Sequence, residues 1–226
     1  GAVTISKNVK INTNGKTITL SNSITNSATT EITGNGTLYY SSGVVISNKG
    51  NLTISNSTIK TDYTAVISMS AGTINVNGGT FVINASNCSN GCAPFAPTGG
   101  TLNINGGTYQ GTNLNFLVIN GGGTVNFGQT KSLTVSGIAI WNNSGTINFK
   151  QGTLKDVTNA ITLQGGTANV SGGSITASGQ AISVNGGETN ITGGTLTGAH
   201  GILSSSGTVN ITGGSIVGSS YEAIYN

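Results

Sequence analysis

The chain has 226 residues, 37 of them glycine, with 6% charged residues, a net charge of +3 and only two prolines. Disorder needs low hydrophobicity with high net charge, and collagen or Pro-rich linkers need far more proline, so these classes are excluded. All eight basic residues are lysine, and so small and dispersed an excess argues against a nucleic-acid partner.

No signal peptide and no membrane-spanning apolar run is found in the sequence, so membrane insertion is not expected and the chain reads as a mature form or an excised domain. Richness in Ser, Thr, Asn and Gly with little charge points to an extracellular location, at a cell surface or secreted.

Residues 1–28 open with Val3-Thr4-Ile5, Val9-Lys10-Ile11 and Ile18-Thr19-Leu20, three alternating pieces with an Asn14-Gly15 turn signal between the last two. They predict a lead-in strand and a first coil. A second coil follows from Thr29 to Lys49 and a third from Gly50 to Ala71. The fourth starts at Gly72 and is longer, its excess lying in a loop over 84–99. Later coils begin near Gly100, Gly123, Gly145, Gly166, Gly187 and Gly207.

From Gly166 the pattern is clearest. Gly, Thr, apolar, Asn, apolar, a polar residue, Gly-Gly, Ser or Thr and apolar recur at a period of about 21 residues, the range of solenoid arrays. Apolar and polar residues alternate at the strand period, and strands this short must stack on their neighbours. The expected fold is all-β, a single-domain β-solenoid over 1–226 with about ten coils. At ~4.8 Å per layer it makes a rod of roughly 45–50 Å.

This register predicts two inward columns. One is Ile74, Leu102, Val125, Ile147, Ala168, Thr189 and Val209; the other is Val76, Ile104, Phe127, Phe149, Val170, Ile191 and Ile211. Thr189 breaks the first column, so either its hydroxyl finds a backbone partner or the register slips there. Gly-Gly pairs such as Gly172-Gly173 fit corners that need positive φ. The last strand, Ala223-Ile224-Tyr225, is still running at Asn226, which predicts a continuing chain or self-association through open β ends.

The repeat Gly-Thr-apolar-Asn-apolar-x-Gly-Gly-Thr/Ser-apolar resembles the right-handed parallel β-helix, or pectin-lyase-like, domains of bacterial surface proteins. The opening VTISKNVKINTNGKTITL looks like their entry coil. The resemblance implies a right-handed helix and one of two roles, carbohydrate-active enzyme or adhesin region.

A lyase of that family is expected to carry clustered Asp and an Arg or Lys base, and a hydrolase paired carboxylates. Here there is no arginine, and Glu31, Asp62, Asp156, Glu188 and Glu222 fall in different coils with no repeated position. No catalytic residues, cofactor or metal are therefore expected; the lone His200 lacks companion ligands. Cys88 and Cys92, four apart in the long loop, close a small disulfide loop in an oxidising compartment or remain two free thiols.

The outward positions carry the binding candidates. One face presents Thr73/Asn75, Thr101/Asn103, Thr124/Asn126, Thr146/Asn148, Thr167/Asn169, Glu188/Asn190 and Thr208/Asn210. This array is similar to antifreeze faces, or is a solubilising ladder of Thr and Asn. Coil lengths of 20 to 28 residues are expected to spoil its flatness. A further face is expected to present Ser68, Val118, Trp141, Thr162, Ser183, Leu203 and Tyr225. Trp141, the only tryptophan, suits a sugar-stacking platform, and the loop with Pro94, Phe95 and Pro97 is placed over that side. Lys60 and Lys155 align on a second face, with Lys131 and Lys150 in adjacent coils, where they would meet acidic glycans weakly.

The expected function is non-catalytic adhesion to a glycan or polysaccharide on a host or neighbouring cell, through Trp141, Tyr225, Phe95 and Lys155. A structural rod stacking end to end and an ice-binding protein are the alternatives.

Overall fold

The computed structural model describes residues 3–86, 88, 91–111, 114–128, 132–134 and 137–226. Among them every regular element is a β-strand, and the strands pair in parallel from one coil to the next. The chain winds as a parallel β-solenoid of about ten turns with three faces. In the third coil the first face is Asn51–Ile54, the second Thr58–Thr61 and the third Ala65–Met69.

The two inward columns expected on the first face are present in register. Ile74 pairs with Leu102, then Val125, Ile147, Ala168, Thr189 and Val209 follow, each beside the last. Val76 begins the second column, in which the rings of Phe127 and Phe149 stack at 4.9 Å with 15° between planes. Thr189 settles its own question. It is fully buried in register with Ala168 and Val209, and its hydroxyl has no hydrogen-bond partner.

A longer apolar ladder lines the third face: Val3, Ile24, Ile46, Ile67, Phe95, Val118, Ile140, Ile161, Ile182, Ile202 and Ile224. Ile24 through Ile202 are buried, whereas the end rungs Val3 and Ile224 are 47% and 45% exposed. Each interior rung removes a β-branched or aromatic side chain from water, worth roughly 1.5–3 kcal/mol.

The register corrects two sequence expectations. Val118 is a fully buried member of this ladder, and the outward residue beside Trp141 is Ile119. Phe95 is likewise core, packed against Phe81 and Tyr109 with centroids at 4.9 and 5.9 Å. The long loop is also shorter than expected, because Ala93–Pro97 is a third-face strand paired with Ala65–Met69. Pro94 is tolerated where backbone donation reverses: Ala93 N–H donates back to Thr64, whereas Phe95 N–H donates forward to Leu117.

Corners are made in two ways. In the first coils the second face is a separate five-stranded sheet; later, strands such as Thr167–Ala177 run continuously from the first face to the second. Gly172-Gly173 shows why glycine is needed there. A Cβ on Gly172 would lie 2.4 Å from the Lys150 carbonyl oxygen of the preceding coil, and Gly173 has φ of 76°.

On the first face the outward asparagines form a hydrogen-bonded ladder. Each side-chain amide from Asn103 to Asn210 donates to the asparagine one coil before it, at 2.8–3.1 Å, back to Asn75. The sequence separation of bonded pairs ranges from 20 to 28, yet the ladder is unbroken. The extra length leaves the first face untouched because it is spent between Ile83 and Ala93, at the edge joining the second face to the third.

Candidate functional site

That edge gathers the chain's unusual chemistry. Five of the twelve aromatic residues are buried: Phe81, Phe95, Tyr109, Phe127 and Phe149. Of the other seven, Tyr40, Tyr63, Phe116, Trp141, Tyr221 and Tyr225 lie at the edge between the second and third faces or on the third face itself, and Tyr39 lies on the second face in register with Lys60. His200, Asp62, Asp156 and Glu222 accompany them.

Midway along, the edge opens into a cleft of about 390 Å³ lined by Cys88, Gly91, Asn115, Phe116, Ile119, Trp141 and Asn143. This is within the size of small-ligand sites. Trp141 projects from the third face between Ile119 and Thr162 of the adjoining coils. Its Nε1–H donates to Asn143 Oδ1 at 2.9 Å, and its ring meets Phe116 edge-on at 6.0 Å, 74° between planes. The indole is thus fixed in direction by one polar and one aromatic contact.

The opposite wall comes from the inserted loop. Cys88 and Cys92 are joined by a disulfide with Cα atoms 5.3 Å apart, and Gly91 N–H donates to the Cys88 carbonyl at 2.8 Å. Phe116 N–H donates to the Cys92 carbonyl at 3.1 Å, which ties this wall to the next coil. None of the described lining residues is ionisable, Cys88 being held in the disulfide, so the cleft offers aromatic faces and the amides of Asn115 and Asn143.

The four sequence-predicted binding residues are not brought together. Trp141 alone lines the cleft. Phe95 is in the core. Tyr225 occupies the same outward column as Trp141 but four coils on, 52% exposed, with its ring 5.6 Å from His200. Lys155 sits on the second face with Nζ 3.9 Å from Asp156 Oδ2. Lys60 is four coils from Lys155, with Nζ 5.1 Å from the Tyr39 ring centroid, so the two share no site. Lys131 lies outside the described residues.

The sequence reading missed Phe116, Ile119, Asn115 and Asn143. The spacing of Thr124 to Thr146 carried back by the same interval from Trp141 gives Ile119, so that neighbour was accessible. Phe116 was not, because it belongs to no repeated position.

The acids have separate partners. Glu31 meets Lys10 at 3.1 Å, Glu188 accepts from Asn210 at 2.9 Å, Glu222 lies 3.6 Å from His200 Nδ1, and Asp62 accepts from the Tyr39 hydroxyl. That last bond raises the Tyr39 pKa above the ordinary tyrosine value.

No protein-family model, curated protein or solved structure matches the chain.

Proposed function

We propose that this chain is a non-catalytic, extracellular binding module that recognises a neutral glycan in the Trp141 cleft. The observation that carries the reading is the fixed indole of Trp141, set with Phe116 in a cleft whose described lining is uncharged and includes Asn115 and Asn143. Sugar rings present apolar C–H faces to an aromatic plane and hydroxyls to amides, and a site of this composition matches both. The described lining residues carry no charge, which, with Lys155 on another face, favours a neutral ligand over an acidic one. The disulfide in the cleft wall is consistent with an oxidising, extracellular compartment.

The test is a glycan and polysaccharide array probed with wild type and Trp141→Ala at low and moderate salt. The expected result is binding to neutral glycans that persists with salt and is lost in the variant. Binding confined to acidic glycans and fading with salt, or binding indifferent to Trp141, overturns the reading.

A second reading, ice binding by the first face, is favoured by one observation. The Asn75–Asn210 ladder stays in register through coils of different length, with Thr73, Thr101, Thr124, Thr146 and Thr167 in a parallel column. Thermal hysteresis in wild type that disappears in Thr124→Tyr and Thr146→Tyr would support it, and its absence in wild type removes it.

A further inference from the structure

Three to four coils before Trp141, the same side of the rod carries a second aromatic cluster that the cleft does not use. Tyr39 and Tyr40 end the second-face strand Thr37–Tyr40, and Asp62 and Tyr63 form the corresponding corner of the next coil. The Tyr39 hydroxyl donates to Asp62 Oδ2, and Lys60 Nζ stands over the Tyr39 ring at 5.1 Å. Tyr63, the residue after Asp62, is 47% exposed.

The corner is rigid underneath. Thr61 is fully buried, its single hydroxyl proton shared between the carbonyls of Tyr40 and Gly43 at 2.9 and 2.8 Å while the oxygen accepts from Tyr63 N–H at 3.0 Å. Gly43 is closed against the ring of Tyr40, where a Cβ would lie 2.9 Å from Cε1. An exposed ring, an anchored carboxylate and a braced backbone form a preorganised surface rather than a loose patch.

We infer that Tyr63 and Asp62 form a second subsite for the same neutral glycan, so that one extended chain lies on a track that runs along the rod and obliquely from this corner onto the third face. The inference rests on the glycan reading of the Trp141 cleft. Asp62 has one oxygen engaged by Tyr39 and a second free to accept hydroxyl protons from a sugar, with the Tyr63 ring for its apolar face. The two subsites are three coil spacings apart along the rod axis, about 14 Å at ~4.8 Å per coil, and are also offset around the coil, since the third-coil residue level with Trp141 is Ser68, five residues beyond Tyr63; several linked sugars span that diagonal. A ligand holding both at once gains affinity through effective concentration, on the order of 10²-fold or more, which a short ligand cannot obtain.

The experiment measures binding of dimers and octamers of neutral glucan, mannan, xylan and chitin to wild type, Tyr63→Ala, Asp62→Asn and Trp141→Ala. Melting temperatures and circular dichroism of each variant check the fold; Tyr63 and Asp62 lie at the surface, and Asn keeps an acceptor for Tyr39. The expected result is an octamer bound at least tenfold more tightly than its dimer by wild type. Tyr63→Ala and Asp62→Asn abolish that gain and leave the dimer unchanged, whereas Trp141→Ala loses both. A gain that is absent, or that survives both edge variants, overturns the track and leaves the cleft standing. Wild type that binds none of these oligomers overturns the track together with the reading beneath it.

Discussion

A Cβ placed on Gly91 would lie 2.5 Å from Cε2 of Phe116 and 3.1 Å from Cδ1 of Ile119. Gly91 also has φ of 89°, where an L side chain is strained by about 1–2 kcal/mol. The loop wall and the aromatic wall of the cleft are therefore fitted to each other at a glycine. Gly91→Ala is expected to weaken glycan binding at least tenfold by displacing Phe116 from Trp141. The melting temperature should fall by only a few degrees, since the loop lies outside the ladders. Titration of the best array ligand and a thermal melt separate the two effects.

Trp141 is the only tryptophan, so its fluorescence reports on the cleft alone. The disulfide holds Cys88 in the same cleft wall. Reduction by a dithiol is expected to raise the acrylamide quenching constant of Trp141 and shift its emission to the red, with the far-ultraviolet circular dichroism of the strands unchanged. Cys88→Ser/Cys92→Ser should show the reduced spectrum without reductant. Identical quenching in all three states would mean the disulfide does not hold the wall.

Phe127 and Phe149 are both buried, stacked and in register between the first and second faces. Truncating one removes a large buried ring and leaves the other facing a void. Phe149→Ala is expected to cost about 3–5 kcal/mol in denaturant unfolding. Phe149→Leu, which refills part of the space, should cost less than half of that.

Thr189 predicts the opposite sign. Its hydroxyl is buried and unpartnered, between Ala168 and Val209. Thr189→Val keeps the shape and removes an unsatisfied polar group, so a gain of about 1 kcal/mol is expected. A loss on chemical denaturation would show that the hydroxyl has a partner in solution.

Tyr109 is buried beneath Phe81 and Phe95, and burial raises its pKa well above the ordinary tyrosine value. Its pKa is higher folded than unfolded, so its contribution to stability is complete below about pH 10 and declines as pH rises beyond that, because only the unfolded chain releases the proton. Ultraviolet titration should therefore show Tyr109 ionising late and together with unfolding. In Tyr109→Phe this late step should be missing.

The first-face core was legible because the Gly-Thr-apolar-Asn pattern marks both the start of each strand and its alternation. Pairing Ile74 to Leu102 needs only that mark. The third face carries no such mark. Val118 and Phe95 follow irregular segments, so Val118 was set on the outward side, and the two prolines around Phe95 imitate a loop, so Phe95 was read as part of one. The edge was hidden for another reason. Tyr63, Phe116 and Trp141 sit at unrelated positions in their coils' sequences, and only winding brings them to the same side of the rod. Thr189 was legible as an anomaly, and the register it seemed to threaten is intact.

The interval between Ile83 and Ala93 absorbs the longest coil without moving one rung of the Asn75–Asn103 ladder. Scaffold and specificity are thereby uncoupled. Substitution, lengthening or exchange of that segment alters what the rod meets while the stacked backbone bears none of the change. A library varying only the exposed positions of this segment, with the buried Ala85 and the Cys88–Cys92 disulfide kept, should yield folded proteins with new ligands.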